Sequence, residues 1–469
     1  MADKKELSEG KKLEESLFYK KENFFEVSSE EKIKAAYDYA EGYKKFLDES
    51  KTEREAVRAA TAYAESKGYS EYKFGDKLSA GDKKYYSNRG KSFIMFKVGS
   101  ENMAVNGIKI LASHIDSPRL DIKQVPLYED TGMAFLKTHY YGGIKKYQWT
   151  AMPLALHGTV VLESGEAVTV TVGEKDSDPV FYINDLLPHL SKEQITKPLA
   201  TAIDGETLNV LVGGYPFKDD DVKEKVKLTV LKKLNETYGM KETDFISAEL
   251  CVVPAYKARD IGFDRALIGG YGHDDRVCSY PAMTALGESK DELSTVVVVL
   301  ADKEEIGSEG ATGMQCGIFS DLVDMLAASQ GVPASVVRAN SKCLSADVTA
   351  GFDPNFAGVF EKRNSSIVSC GTALCKFTGA GGKSGSSDAS AELVGYVRRI
   401  FEKAKVNWQM AELGKVDAGG GGTVAKYIAK LNIDTIDIGV PVISMHAPYE
   451  VISKADLYST YEAFAAFIG

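Results

Sequence analysis

The run Val296-Val297-Val298-Val299-Leu300 constrains this chain more than any other segment. It offers no polar face, so a strand formed there must be covered on both sides, as a central strand of an α/β sheet is. After Ala301 the chain turns polar at once, through Asp302-Lys303-Glu304-Glu305-Ile306-Gly307-Ser308. In open α/β sheets ligands gather beyond the carboxyl ends of the strands. Polar residues that directly follow an apolar run are therefore the ones to read for chemistry. Ile108 to Ala112 runs in the same way into Ser113-His114-Ile115-Asp116-Ser117-Pro118, and Val442-Ile443 into Ser444-Met445-His446. Two more acidic sites stand in polar turns, His273-Asp274-Asp275-Arg276 and Ser345-Ala346-Asp347.

The chain has 469 residues, more than one ordinary core accommodates, so two domains are expected. The N-terminal part reads as helical. Ser28 with Glu31 predicts a capping box ahead of Ile33, Ala36, Tyr37 and Ala40, and Thr52 with Glu55 predicts another before an Ala-rich helix ending near Gly68. Phe93 to Val98 and Ile108 to Ala112 read as strands. From about Lys123 to Cys251 the texture changes to short β-type runs such as Thr159–Leu162 and Val168–Val172, separated by Gly, Asp and Ser. After Cys251 the pattern is α/β again, with helices expected around Ala282, around Ala389 and from Ala455 to Ile468. The expected organisation is a discontinuous α/β catalytic domain, residues 1–124 and 250–469, interrupted by a β-rich domain at 125–249.

Hydrophobic content of 44% and charged content of 26% describe an ordinary globular protein. A net charge of −10 argues against nucleic acid as a partner, since basic surface supplies that affinity. No apolar run is long enough to span a bilayer, which argues against a membrane partner. The start, Met1-Ala2-Asp3-Lys4-Lys5, leads into a charged segment with no signal-peptide core, so a cytoplasmic location is expected. The six cysteines (Cys251, Cys278, Cys316, Cys343, Cys370, Cys375) form no CxxC pair, and buried free thiols are expected.

Carboxylates and imidazoles delivered to one end of a sheet need a counter-charge, because burying several anions together is very costly. A divalent cation is the simplest partner, and mixed His and carboxylate ligands suit zinc, or alternatively cobalt or manganese. Each cluster alone is a weak signal, because a Glu-Glu pair is usually solvated surface and a lone histidine usually structural. The joint placement of five such clusters carries the argument. No His-Glu-x-x-His zinc motif and no Gly-x-Ser-x-Gly elbow is present.

The strings ASHIDSPRL (112–120), DKEEIGS (302–308), SADVTAGFDPNF (345–356) and GVPVISMHAPYE (439–450) resemble the motifs of the M18, or aspartyl aminopeptidase, family. They stand in the family's order, and the likeness covers nearly the whole chain. The resemblance implies a zinc-exopeptidase-like fold of the phosphorylase/hydrolase type, a mixed sheet flanked by helices, with the β-rich insert serving oligomerisation. It implies two zinc ions per subunit. His114 would bind one metal, Asp274 would bridge the two, Glu305 and Asp347 would each ligate one, and His446 would complete the second set. Asp116 would hold the His114 imidazole in its ligating tautomer, and Glu304 would be the general base. The sequence departs from the family pattern at His273, an extra ligand or a packing residue with packing favoured, and at Lys303, where a histidine is usual.

His189, in Leu187-Pro188-His189-Leu190, resembles a family histidine that approaches the active site of a neighbouring subunit. Its role is expected to be substrate contact rather than metal ligation. The Gly-rich segment Lys376–Ser387 fails the phosphate-loop spacing at Phe377 and is read as a substrate-pocket loop, with Lys376 and Lys383 as partners for an acidic side chain or as plain surface lysines. Gly419–Gly422 before Thr423 allows close backbone approach, or is a plain turn. The expected function is removal of the N-terminal residue from peptide substrates, with acidic residues preferred, by a homo-oligomer built from dimers, of which a dodecamer is one form. Two rival classes are a carboxypeptidase or N-deacylase with the same metal chemistry, and a non-catalytic assembly protein.

Overall fold

In the computed structural model, which describes residues 7–469, the strand Val296–Ala301 is buried throughout within a nine-stranded mixed sheet. Its side chains alternate as a strand requires. Val296, Val298 and Leu300 enter one apolar cluster, while Val297, Val299 and Ala301 enter another on the opposite face. The first cluster lies under the helices Glu30–Glu49, Glu53–Ser66, His273–Glu288, Ala391–Ala404 and Lys454–Ile468. The second lies under Ile318–Ser329, Ala334–Asn340 and Ala425–Ala429.

Val296–Ala301 runs parallel to Lys109–His114, which runs parallel to Lys342–Ala346, which runs parallel to Asp434–Gly439. Four adjacent strands therefore end on one side of the sheet, and three of them release Asp302, His114 and Asp347 there. Ser92–Lys97 and Thr372–Cys375 flank this parallel centre in antiparallel sense.

A second sheet, of seven strands and wholly antiparallel, draws every strand from residues 119–254 and has its own apolar cluster around Leu136, Trp149 and Val252. Its members Arg119–Asp130 and Ala248–Pro254 run across the expected divisions at 124/125 and 249/250. The insert also carries a helix, Lys225–Tyr238, laid on this sheet. A third, five-stranded sheet joins distant pieces: Arg259–Ile261, Leu267–Gly270, Glu450–Ser453, Pro441–Ile443 and Thr349–Ala350. It brings the segments around Asp274, Asp347 and His446 to one place.

One cap differs from expectation. Ser29, not Ser28, caps Glu30–Glu49, its Oγ accepting from Lys32 N–H at 3.3 Å. Ser28 instead closes the short helix Phe24–Val27, which the buried Phe24 anchors. The Thr52–Glu55 box forms reciprocally, at 3.1 and 3.3 Å. The helix expected around Ala389 begins at Ala391, with Ser390 as its cap. All six cysteines are free, five of them buried and Cys316 half-buried. Among the described residues no helix is long and apolar enough to cross a membrane.

Candidate metal centre

His114 closes its strand with the side chain almost wholly buried. Its Nδ1 lies 3.0 Å from the main-chain oxygen of Asp116 and 3.3 Å from Asp116 Oδ1, so this nitrogen carries the proton. Nε2 then faces Asp274 Oδ1 at 3.1 Å and Asp347 Oδ1 at 3.7 Å. His446 repeats the pattern. Its Nδ1 lies 2.8 Å from the carbonyl oxygen of Gly143, and its Nε2 faces Asp274 Oδ2 at 3.2 Å and Glu305 Oε1 at 3.5 Å. Asp274 thus presents one oxygen to each imidazole.

Three local devices make this possible. Asp274 and Asp275 have non-helical backbone at the start of His273–Glu288, so their side chains leave the helix path. Lys303 takes a left-handed conformation, φ +67°, and reverses the chain so that the N–H groups of Glu304 and Glu305 donate to Asp116 Oδ1 and Oδ2 at 3.1 and 3.2 Å. His446 is also left-handed, φ +65°, a sparsely populated state for a residue with a Cβ. Its N–H donates to Glu450 at 2.7 Å. The insert closes over the site through Gly142-Gly143, where a Cβ would come within 3.2 Å of Glu305 Oε2 and 3.3 Å of His446 Nδ1.

The residues fit a divalent cation. Asp274 Oδ1, Asp275 Oδ1 and Glu305 Oε1 are buried with no hydrogen-bond donor. Donor atoms of His114, Asp274 and Glu305 lie within 4.8 Å of one another, as do those of His114, Asp275 and Asp347. Tetrahedral bonds of about 2.0–2.1 Å set neighbouring donors about 3.3–3.4 Å apart, close to the spacings around each Nε2. Burial, and then the Asp347 charge, push the Glu304 carboxyl up to about 8. Burial raises Glu305, Asp275 and Asp347 as well, with neighbouring carboxylates adding to it. Burial disfavours charge on the imidazoles, yet the facing carboxylates prevail, taking His446 to about 10 and raising His114 well above its ordinary value. The field therefore demands positive charge beside the two Nε2 atoms, and a bound cation supplies it without a proton.

Asp274, Glu304, Glu305, Asp347 and His446 line a cavity of about 510 Å3, together with Phe377, Gly420–Gly422 and Lys426. The other expected residues lie elsewhere. Lys376 and Lys383 both pair with Asp388, at 2.9 and 3.0 Å, and neither lines the cavity. Lys383 also sits over the Phe377 ring, 3.9 Å from its centroid. His189 is exposed on the turn Pro188–Leu190 and is not part of the lining. His273 packs: its ring stacks on Tyr43 and its Nδ1 lies 2.7 Å from the Tyr43 hydroxyl. Sequence reading missed four participants. Asp275 and Glu450 stood in motifs already singled out, whereas nothing local distinguishes Tyr141, whose hydroxyl donates to Asp116 at 2.8 Å, or the cavity cation Lys426.

A family model described as "Aminopeptidase I zinc metalloprotease (M18)" matches residues 46–468. A Clostridium acetobutylicum protein named "Probable M18 family aminopeptidase 1" is 48% identical over 454 residues, covering 95% of this chain and 97% of that protein. The crystal structure of aminopeptidase I from Clostridium acetobutylicum superposes with a TM-score of 0.90 at 45% identity, over 97% of this chain and 100% of that one. The crystal structure of an M18 aminopeptidase from Thermotoga maritima gives 0.91 at 40% identity, over 96% and 99% of the two chains.

Proposed function

This chain belongs to the M18 family of zinc metallopeptidases and is an aminopeptidase, and on that premise we propose that it works with two metal ions and prefers acidic N-terminal residues. The observation that carries the two-ion reading is the division of Asp274, one carboxylate oxygen toward each imidazole. In this reading His114 and Asp347 would hold one ion, His446 and Glu305 would hold the other, and Asp274 would serve both. Asp275, buried behind His114, either joins the first set or balances its charge. Zinc is the ion proposed, with cobalt or manganese as functional substitutes.

Divalent ions bound there supply Lewis acidity toward the scissile carbonyl and lower the pKa of water. Glu304 faces the cavity beside the carboxylates of Asp274 and Asp347, where its own carboxylate can accept a proton and later return it. It takes the proton from the attacking water and passes it to the amine nitrogen as the C–N bond breaks. Asp116 fixes the His114 ring and the turn bearing both glutamates. The preference for acidic residues is supported by Lys426, the one Lys or Arg in the cavity lining among the described residues.

We further assign the catalytic role to 1–124 and 250–469 and assembly to 125–249. Supporting this, the segment from Val180 to Leu199 exposes Leu187, Leu190 and Ile195 to solvent, apolar surface that a second copy would cover. His189 lies within that segment and would reach substrate in a neighbouring subunit.

Elemental analysis combined with peptide hydrolysis before and after chelation tests the reading. Two metals per chain, with chelator-sensitive release of Asp or Glu faster than Leu, is the expected result. Equal rates on Leu and Asp end the acidic preference, and one metal per chain at full activity ends the two-ion reading. Turnover of an N-acetylated peptide would favour the deacylase alternative instead.

A further inference from the structure

Asp116 is wholly buried and does not line the cavity, yet its carboxylate is a junction. Oδ1 faces His114 Nδ1 and accepts from Glu304 N–H, while Oδ2 accepts from Glu305 N–H and from the Tyr141 hydroxyl at 2.8 Å. Three of these groups come from the nine-stranded sheet, His114 from the end of Lys109–His114 and the two glutamates from the turn after Val296–Ala301. Tyr141 alone comes from the insert, as the last residue of Met133–Tyr141. Its ring lies against the Arg119 guanidinium, 4.1 Å from the ring centroid, and Arg119 is its cross-strand partner in the register. Arg119 is held in turn by Glu53 at 3.0 Å, from the first turn of Glu53–Ser66, and by Asp121 at 2.8 Å. Stacking on a planar guanidinium fixes the ring, and a charge-assisted hydrogen bond then fixes the carboxylate.

We propose that Tyr141, backed by Arg119, is a positioning residue through which the inserted sheet sets the orientation of Asp116, and with it the His114 ring and the Glu304–Glu305 turn. The inference rests on the metal-site reading given above. Without the hydroxyl, Oδ2 keeps only Glu305 N–H and Oδ1 keeps His114 and Glu304 N–H, so the carboxylate loses its shortest contact and its one tie to the insert. His114 and the two glutamates are then held to a less sharply defined orientation. Partners of this kind, behind metal ligands, commonly govern metal affinity or activity by about 10- to 100-fold.

The test is Tyr141→Phe in the full-length protein, with zinc affinity measured by competition against a chelator and peptide hydrolysis measured at saturating metal. Zinc binding weakened by about tenfold or more is expected, together with kcat reduced about tenfold and KM changed less than about twofold. Arg119→Lys, which keeps the charge but not the planar face, should move both readouts in the same direction by a smaller factor. It also serves as the test if Tyr141→Phe does not fold. Zinc affinity and kcat both within twofold of the unaltered protein, or a loss confined to thermal stability, would overturn the proposal. Because zinc competition needs no turnover, it tests Tyr141 even if the unaltered protein hydrolyses none of the peptides, a result that would instead count against the functional reading.

Discussion

His446 meets Asp274 at 3.2 Å, and one carboxylate holds both residues to that approach. Glu450 accepts the N–H of His446 at 2.7 Å and that of Asp274 at 3.1 Å. A glutamine in its place offers one carbonyl oxygen and turns an NH2 toward the other donor, leaving a buried N–H unsatisfied. Glu450→Gln is therefore expected to cost about 1–3 kcal/mol of stability and to weaken the ion shared by Asp274 and His446. If two ions bind as proposed, metal content should fall from two toward one per chain. Full occupancy with unchanged thermal stability would show that Glu450 does not hold this pair.

Glu304→Gln keeps the hydrogen bond from its main-chain N–H to Asp116 and removes only the proton acceptor. Metal content and folding should be unchanged, while kcat falls by roughly 10²–10⁴. Near-normal turnover would falsify the assignment of the base.

Lys426 has no carboxylate within ion-pair distance among the described residues, in contrast to Lys376 and Lys383, which share Asp388. Its ammonium lies over the Tyr427 ring, 4.9 Å from the centroid, and under the proposed acidic preference a substrate carboxylate would be its ion-pair partner. Lys426→Met should lower kcat/KM for Asp- and Glu-terminated peptides on the order of tenfold relative to Leu-terminated ones, a difference of about 1.4 kcal/mol in transition-state binding. Lys376→Met and Lys383→Met should leave that ratio nearly unchanged. An equal loss on acidic and neutral peptides would remove Lys426 from the specificity argument.

Away from the site, buried His157 lies between Glu55 at 2.9 Å and Glu174 at 3.0 Å, joining the helix Glu53–Ser66 to the inserted sheet. Lys51 and Lys257 also pair with Glu174, and Arg58 lies 3.7 Å from Glu55. Burial disfavours the imidazolium, but the two glutamates outweigh it and raise His157 above its ordinary 6.5. The imidazolium's contribution to stability is therefore fully present below 6.5 and is lost as pH rises through the higher folded value. The glutamates act at the other end. Burial opposes their ionisation, yet His157 and its neighbours prevail, lowering Glu55 and taking Glu174 to about 2. Their contribution is fully present above their ordinary 4.5 and is lost as pH falls from there through the lower folded values, about 2 for Glu174. His157→Gln should cost about 3 kcal/mol between pH 5 and 6, and melting curves should converge with the unaltered protein as pH rises. A difference in melting temperature that stays constant across pH would exclude the charged clamp.

Much of this architecture was legible locally. The alternation of Val296 to Ala301 between two cores, the Thr52–Glu55 cap and the β-rich insert all follow from periodicity and propensity, which act over a few residues. The ligand candidates were legible in part, because His114, Glu305 and His446 each follow an apolar strand-like run, whereas Asp274 and Asp347 read as polar turns and stood out through the family resemblance. The strand Lys342–Ala346 before Asp347 emerged only in the structure. The choice between Ser28 and Ser29 was not, because the two serines are equivalent until Phe24 is buried and claims one of them for the preceding helix.

Residue types, their order and their position after buried strands were determined by the sequence alone, since hydrophobic pattern decides which segments enter a sheet and where each must end. Which of those residues meet was decided only by tertiary structure. The split of Asp274 between two imidazoles, the clamp of Glu450 on Asp274 and the reach of Tyr141 from the insert into Asp116 are all distances between separate segments. Such distances depend on how three sheets dock, and no local pattern encodes that.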